Sequence, residues 1–460
     1  MITRRVGRLC RRLRGTLTGL LLPAILVVAL SAPPVRAADA GFVLEALGVL
    51  RSRYVDQVDP VVLVNAAIGG LRQALSSAGT PAEVTEIAQG TPVGQVDGLF
   101  RARFDAATTA AGGKVTPTAL AYAAVEAMTA VLNDSHTGFI TPDANRERQL
   151  RQQGQAGFSG IGVVLMPREG RFYIRDVIPG GPSQAAGVQP LDRVARIDNV
   201  STGGMTAGQV SSMIRGPAGS TVTLVFDRPG RPDPVTIAVM RGPIQVPAVF
   251  QARVLDGGIG YLQFYQFIAR SGQDFREALE RLLAGNMRAL VLDVRGNSGG
   301  FLNELVTVVN TMLPPGRAIY QETTRGGVTR TARTSAAPIL PSHIPVVVLV
   351  DESSASAAEI LSSALQENGR ATLVGAKTGG AVEASILIDL SDGSALSVTV
   401  LRLASGQGRR LEATGVTPDV EVALATSDLD QGRDSQLQRA IQLARQRLGQ
   451  TQRLVPAARQ

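Results

Sequence analysis

The chain has 460 residues, of which 44% are hydrophobic, and it contains 50 glycines and 25 prolines. This composition is typical of a globular, turn-rich protein, and the length suits about three domains. Aromatic residues make up only 4% and tryptophan is absent, which argues against an aromatic platform for single-stranded nucleic acid. The net charge of +8 does not indicate a nucleic-acid partner either, because seven of the 46 basic residues fall within residues 1–37 and leave 39 basic against 38 acidic residues.

The first 37 residues have the pattern of an export signal. An arginine-rich start without acidic residues precedes an apolar stretch over 17–30, and small residues follow around Ala37. We predict a signal peptide over 1–37 that is cleaved after Ala37, with Ala40 as the second choice, and a periplasmic or cell-envelope location. The alternative is an uncleaved leader that anchors the chain in a membrane, although the stretch is short for a span. The single cysteine, Cys10, lies in this leader, so the mature chain has no thiol chemistry.

Residues 38–150 are predicted to form a helical N-terminal region. Apolar residues recur with helical spacing over 42–50, 61–75 and 118–132. The intervening segment 76–116 is rich in glycine, alanine and threonine, and we expect a partly ordered insertion there.

His136, in the turn that follows this region, is one of only two histidines. Two interpretations stay open for it: a general base for a serine nucleophile, or a turn histidine bonded to nearby backbone. Two histidines without close carboxylate partners also argue against a catalytic metal site. We therefore expect neither a metal nor another cofactor.

Residues 151–245 change to the alternating pattern of β-strands, with glycine-rich turns between them. This segment resembles a PDZ domain of the circularly permuted bacterial type. The resemblance implies that a peptide C-terminus adds to the sheet as a strand, with its carboxylate held by backbone N–H groups. The loop implied for the carboxylate gives Phe158, Gly160, Ile161 and Gly162 as candidate peptide-binding residues. The alternative is a PDZ-shaped spacer that binds nothing.

Residues 246–450 contain stretches typical of buried parallel strands, at 289–300, 346–359 and 371–380. In the second of these, an apolar strand passes through small residues around Ser356 directly into a helix. Such a strand-to-helix turn is where α/β proteins display a nucleophile, with the free N–H groups of the helix aimed at the site. The alternative is an ordinary serine-rich helix cap.

The remainder of this region is predicted from its turns and its periodicity. The segment 314–345 is expected to be a loop-rich connection. Alternating apolar residues around a Ser-Asp-Gly turn predict an antiparallel hairpin over 385–401, and a helix with one apolar face is predicted over 434–448.

The three core stretches, in this order, resemble the carboxyl-terminal processing peptidases, or tail-specific proteases. Here they read V-L-D-V-R-G-N-S-G-G, V-V-V-L-V-D-E-S-S-A-S-A-A-E and V-G-A-K-T-G-G, against a family pattern of D-L-R-x-N-x-G-G, S-A-S-A-S-E-I and G-E-x-T-x-G-K-G. The resemblance covers most of residues 41–448. It implies a multidomain α+β fold with a helical N-terminal region, a PDZ-like β domain and an α/β catalytic core of the ClpP/crotonase type.

The resemblance also implies a function, that of a serine endopeptidase acting on proteins or peptides with free C-termini. Ser356 matches the nucleophile of the family. The N–H of Ala357 and an N–H from Gly299 or Gly300 would form the oxyanion hole. Glu367 matches an acidic position that orients structure. Nucleic acid is not expected as a partner, and a homo-oligomer is left open.

The general base is where this sequence departs from the family, which uses a lysine. A lysine can take the serine proton if burial favours its neutral form. Here the family's lysine position is Ala381 and its glutamine partner falls on Ser385. The nearest amine is Lys377, one of only two lysines in the chain.

Three hypotheses follow from this departure. In the first, the protein is a serine endopeptidase with Lys377 as the base. In the second, it is a pseudo-peptidase that has lost its base and acts as a peptide-binding adaptor. In the third, it is a serine peptidase with His136 as the base.

Overall fold

The computed structural model describes residues 38–152 and 159–454. The predicted leader and Phe158 lie outside these residues. The N-terminal region is formed by helices α1 Ala40–Arg53, α2 Pro60–Ser77, α3 Val93–Ala111 and α4 Pro117–Ala130, followed by strand β1 Gly138–Ile140 and helix α5 Pro142–Gln152. None of the helices in the described part of the chain is long and apolar enough to cross a membrane.

Local capping explains where two of these helices begin. The side chain of Asp59 accepts a hydrogen bond from the N–H of Val61 (2.9 Å) before Pro60, and the side chain of Thr116 accepts one from Ala119 (3.1 Å) before Pro117. A side-chain acceptor followed by proline is a common helix start, because it satisfies one free N–H and removes another.

Helix α3 shows that the prediction of a partly ordered insertion over 76–116 was wrong. Val96, Phe100, Phe104 and Ala107 are buried against the other helices at a spacing of three to four residues. The many small residues between them concealed this stripe. The packing of the apolar face, rather than helix propensity, therefore stabilises α3.

An antiparallel sheet with two short helices follows. Its elements are β2 Ser159–Gly160, β3 Val163–Arg168, β4 Arg171–Val177, α6 Pro182–Ala186, β5 Arg193–Ile197, β6 Val200–Ser201, α7 Ala207–Ile214, β7 Thr221–Asp227, β8 Val235–Met240 and β9 Gly242–Pro243. The main sheet has the order β3-β4-β5-β7-β8, so β3 lies at its edge, and α7 contacts both β3 and β5.

The α/β core completes the chain. Its elements are β10 Val249–Leu255, β11 Ile259–Phe264, α8 Ser271–Ala284, β12 Ala289–Asp293, α9 Leu302–Asn310, β13 Ala318–Thr324, β14 Thr329–Arg333, β15 Val346–Val350, α10 Ala357–Glu367, β16 Ala371–Gly375, β17 Ala384–Asp389, β18 Ala395–Ser405, β19 Val420–Glu421, α11 Thr426–Leu429 and α12 Ser435–Leu454.

The central sheet of the core has the order β10-β11-β12-β15-β16-β19, and it is parallel from β11 to β19. Helices α8, α9 and α10 pack on one face and α12 on the other. Strands β12, β15 and β16 are therefore buried on both sides, which explains their unbroken apolar runs. Because parallel strands end at one edge, the loops after these three strands meet there.

A second sheet joins the core to the N-terminal region. It has the order β1-β18-β13-β14, and β17 pairs with β18 as the predicted hairpin. The segment 314–345 is not only a loop, as we had expected, because β13 and β14 form a hairpin within it. Its polar strand β14 is exposed and lacks the apolar alternation by which strands are recognised.

Candidate active site

Ser356 lies in the tight turn between β15 and α10, immediately before the first residue of the helix. Its backbone has φ +55° and ψ −122°, a strained conformation for a residue with a side chain. Its N–H donates a hydrogen bond to the carbonyl oxygen of Ala381 (2.8 Å). Ser356 is only partly buried, and with Glu359 it forms a capping box at the start of the helix. This arrangement presents an accessible hydroxyl at a helix N-terminus, as a nucleophile requires.

The glycine loop after β12 lies directly against this turn. A Cβ atom built on Gly299 would be 2.5 Å from the Cβ of Ser356. The N–H of Gly299 donates to Oδ1 of Asn297 (2.9 Å), whereas those of Gly300 and Ala357 have no hydrogen-bond acceptor among the described residues. Of the three residues predicted for the oxyanion hole, Gly300 and Ala357 therefore have the N–H groups that are available to a developing anion.

Glu359 joins the turn at Ser356, here called the nucleophile turn, to the loop that follows β16. This fully buried carboxylate accepts hydrogen bonds from the N–H groups of Ser356 (3.1 Å), Gly380 (2.7 Å) and Ala381 (2.9 Å), and from the hydroxyl of Thr378. This role of Glu359 was not predicted from the sequence. The sequence does contain a pattern that indicates it, because Ser-x-x-Glu at the start of a helix is the spacing of a capping box.

No hydrogen bond joins Lys377 to Ser356 in the described part of the chain. The Lys377 side chain is exposed on the loop after β16, and it forms no ion pair or hydrogen bond with another described residue. Glu367 is the last residue of α10, where it accepts a hydrogen bond from the N–H of Gln407 (3.1 Å) and contacts Arg409 (3.5 Å). It is therefore about 16 Å along the helix from Ser356, a position suited to supporting the fold.

His136 reaches the same region from the N-terminal part of the chain. Its side chain is 18% exposed, and Nε2 lies 3.5 Å from Oε2 of Glu412. This is an ion-pair distance but not a hydrogen bond, and Nε2 is buried without a hydrogen-bond partner. The same Oε2 of Glu412 accepts a hydrogen bond from the N–H of Val382 (2.8 Å). Because Val382 follows Ala381, whose carbonyl accepts the N–H of Ser356, consecutive contacts connect His136 to the nucleophile turn.

The histidine and its carboxylate are held from the side of β18. The hydroxyl of Ser397 donates to the carbonyl oxygen of His136 (2.7 Å) and lies 3.2 Å from the hydroxyl of Ser385. The position of the family's glutamine, Ser385, is thus close to His136. Glu412 was not singled out in the sequence, and its distance along the chain from the other site residues left no local signal.

Charged groups surround His136 and partly balance one another. Burial on its own would raise the pKa of Asp134, but hydrogen bonds from Thr399 and from the backbone N–H of His136 hold that pKa below its ordinary value. Burial raises the pKa of Glu383, although its contact with Arg402 opposes the shift. The Arg402 guanidinium therefore offsets part of the negative charge of Glu383.

The candidate peptide groove lies between the edge strand β3 and helix α7. It encloses a cavity of about 250 Å³ lined by Gly160, Ile161, Gly162 and residues of β3 and α7. Gly162 has φ +77°, which only glycine adopts readily. The described residues of the predicted carboxylate loop are thus at one end of an open sheet edge, as strand addition requires.

Comparison with known proteins agrees with these features. The model of peptidase family S41 matches residues 258–422 and a PDZ domain model matches 173–228. The carboxyl-terminal-processing protease of Synechocystis is 31% identical over 70% of this chain and 76% of its own, and the chloroplastic carboxyl-terminal-processing peptidase 2 of Arabidopsis thaliana is 34% identical over 65% and 59%. The photosystem II D1 C-terminal processing protease superposes with a TM-score of 0.52 at 26% identity, over 83% of this chain and 92% of that one. The predicted multidomain α+β fold class is confirmed.

Proposed function

Because this chain belongs to the S41 family of carboxyl-terminal-processing proteases, as its core motifs predicted, we propose that it is a serine endopeptidase with Ser356 as nucleophile and His136 as general base. The contact between His136 and Glu412 supports this choice of base, because a partly buried imidazole and its carboxylate lie next to the segment that holds Ser356. A lysine base needs burial to become neutral, and Lys377 is exposed.

The proposed reaction has two steps. The hydroxyl oxygen of Ser356 attacks the scissile carbonyl carbon while its proton passes to His136, whose positive charge faces Glu412. The N–H groups of Gly300 and Ala357 stabilise the oxyanion of the tetrahedral intermediate. His136 then returns the proton to the leaving amine, and water hydrolyses the acyl-enzyme by the same route. The hydroxyl and imidazole are not hydrogen-bonded without substrate, which is common for sites that tighten on binding.

The base is tested by substitution, with cleavage of an unstructured protein as the measurement. Ser356→Ala and His136→Gln should each lower kcat/KM by about a thousandfold or more. Lys377→Arg should leave it unchanged, although a guanidinium cannot act as a base. His343→Gln and Lys114→Arg are matched controls, because they change the other histidine and the other lysine of the chain.

Two outcomes contradict this assignment. If Lys377→Arg is inactive and His136→Gln is active, the base is the lysine. If the wild-type chain cleaves nothing over a wide pH range but binds peptides, the protein is an adaptor. Thermal unfolding of each variant separates loss of chemistry from loss of fold.

We also propose that the PDZ domain engages the C-terminal tails of substrates at the groove between β3 and α7. A tail carboxylate at Gly160 to Gly162 would accept hydrogen bonds from backbone N–H groups. Amidating the C-terminus of an apolar peptide should weaken its binding to the Ser356→Ala variant about tenfold, because charge-assisted hydrogen bonds are lost. Isothermal titration calorimetry gives the two affinities, and equal values would contradict a carboxylate site.

A further inference from the structure

The strand β17 has an open edge and exposes apolar side chains on both of its faces. Ile386 is 42% exposed and Leu387 is 41% exposed. Neighbouring residues of a strand point to opposite faces of a sheet, so the two side chains leave both faces apolar. Among the described residues, β17 pairs only with β18. The backbone groups on its other side are therefore available to a further strand.

Proteins usually protect such edges, because an open apolar strand attracts other chains. The opposite end of the same sheet follows this rule, since its edge strand β14 carries Arg330 and Arg333. By contrast, residues 384–388 include neither a charged residue nor a proline. Because β14 is protected and β17 at the opposite end of the same sheet is not, we infer that the edge of β17 is used for binding.

The open part of β17 begins at the candidate active site. It starts three residues after Ala381, whose carbonyl oxygen accepts the N–H of Ser356. Near this start, the hydroxyl of Ser385 is 3.2 Å from that of Ser397, which donates to His136. The far end is covered, because Asn145 of α5 donates to Asp389 (2.9 Å). The free edge therefore leads directly away from the nucleophile and the candidate base.

We propose that the edge of β17 over 384–388 is the docking strand for the polypeptide that is cleaved. An unstructured substrate segment would add to the sheet as an extended strand, held by backbone hydrogen bonds that do not depend on sequence. Ile386 and Leu387 would favour apolar side chains on successive substrate residues. This inference rests on the proposed peptidase function, and it concerns a surface distinct from the tail groove at β3. The substrate would then be held at two separate sheet edges.

Hydrogen exchange on the full chain carrying Ser356→Ala tests the docking strand without turnover. The probe is an unstructured apolar peptide of about ten residues, which is longer than the six-residue strand. Bound peptide should slow exchange of the outward-facing amides of β17 by about tenfold or more, while the amides of β14 serve as the control edge and stay unchanged. If the amides of β17 exchange at an unchanged rate in the presence of saturating peptide, the proposal is overturned.

Substituted peptides and variants supply the second arm. Two peptides are compared, one N-methylated at its odd-numbered residues and one at its even-numbered residues. Only every second N–H of an added strand faces β17, so one of the two peptides should bind about fivefold more weakly and the other should bind almost as before. Ile386→Thr and Leu387→Thr together keep strand propensity, and they should raise KM about fivefold with kcat unchanged. Met240→Thr, at a 65% exposed position of β8, is the control. An unchanged KM, or equal binding of both methylated peptides, contradicts a docking strand.

The remaining outcomes separate this inference from the peptidase function. If the wild type cleaves the peptide but β17 is not protected, the peptidase function is supported and docking at β17 is contradicted. If peptide protects β17 and the wild type cleaves nothing, docking at β17 is supported and the peptidase function is contradicted. Protection that depends on protein concentration, without peptide, assigns the edge to a second copy of the chain and overturns the proposal.

Discussion

Gly299 brings the glycine loop close to Ser356, the proposed nucleophile, in a way that no other residue permits. An added Cβ atom would lie 2.5 Å from the Cβ of Ser356 and 2.8 Å from the backbone nitrogen of Ala357. Its φ of +94° is also a conformation that residues with side chains rarely adopt. Gly300, whose N–H is proposed for the oxyanion hole, is the next residue of this loop. The geometry of the proposed oxyanion hole therefore depends on the absence of a single methyl group.

Gly299→Ala should lower kcat by about a hundredfold or more, because the loop must move away from Ser356. Binding of the tail peptide at the PDZ domain should not change, since the groove lies elsewhere. Gly326→Ala is the control, because no atom lies within 4 Å of its added Cβ. Steady-state kinetics and peptide titration on both variants check this prediction, and a Gly299→Ala enzyme of normal kcat would contradict it.

Two local patterns in the sequence predicted the turn at Ser356 and the glycine loop. One is a strand that passes directly into a helix, and the other is the pair Gly299 and Gly300; each pattern is complete within a few residues. The partner of His136 could not be identified in this way. Glu412 approaches the histidine only because β18 carries the chain back past the N-terminal region, where Ser397 and Thr399 contact residues 136 and 137. The sequence left both interpretations of His136 open, and the tertiary contacts favour the base.

At the scale of secondary structure elements, a buried ionic cluster connects strand β12 to helix α12. The guanidinium of Arg295 contacts the carboxylates of Asp293 (2.7 Å) and Asp434 (2.8 Å), and the hydroxyl of Tyr261 donates to Asp293 (2.9 Å). Arg295 belongs to the sequence motif that resembles the family pattern, but its contacts are structural. It fixes the end of β12, from which the glycine loop departs.

This cluster predicts a dependence of stability on pH. Burial on its own would raise the pKa of Asp293, but Arg295 holds it below the ordinary value. A lowered folded-state pKa stabilises the protein above the unfolded aspartate pKa of about 4. That stabilisation is lost as the pH falls through the folded-state pKa.

Asp293→Asn should therefore lower the free energy of unfolding by about 3–5 kcal/mol at pH 7, because it leaves a buried guanidinium short of a charge partner. The loss should shrink as the pH falls below the ordinary aspartate range. Urea unfolding at several pH values measures both effects. Asp233→Asn, at an exposed site, is the control and should change stability by less than about 0.5 kcal/mol. A loss that is the same at every pH would contradict the role of the charge.

The elements themselves were predictable to the extent that each buries a regular apolar pattern. Strands β12, β15 and β16 are apolar throughout because both faces are covered, and they were predicted. Helix α3 and the hairpin of β13 and β14 were not, since small residues dilute the stripe of α3 and β14 has no buried face. Tertiary packing stabilises these elements, and a single sequence does not show that packing.

At the scale of the whole molecule, the PDZ domain is attached to the core through two small apolar clusters and several charged or polar contacts, which include those of Arg175 with Asp351 and of Asp176 with Gln263. Leu429 of α11 is fully buried with Met166 and Tyr173 of the PDZ domain. The hydroxyl of Tyr173 and the guanidinium of Arg171 donate to Asp430 (2.9 and 2.7 Å). Such a mixture of a few apolar and several polar contacts is typical of interfaces between domains that fold separately.

Leu429→Ala should weaken this attachment by about 2–5 kcal/mol, the usual cost of truncating a buried leucine. We expect calorimetry to show that the PDZ domain unfolds at a lower temperature than the core, and limited proteolysis to cut between them sooner. Met240→Ala, an exposed substitution in the same domain, is the control. A single unshifted transition would show that the two parts are coupled by other contacts.

The long strand β18 has a consequence for the newly made chain. The hydrogen bond from Ser397 to His136 joins residues 261 positions apart, so the candidate base and its supports are brought together only after β18 has been synthesised. Contacts of such sequence separation form late, because a long loop must first be closed. A ribosome-bound or partly translocated chain would hold the histidine but not the strand that positions it. The order of folding would thus leave the proposed active site incomplete until β18 has been synthesised.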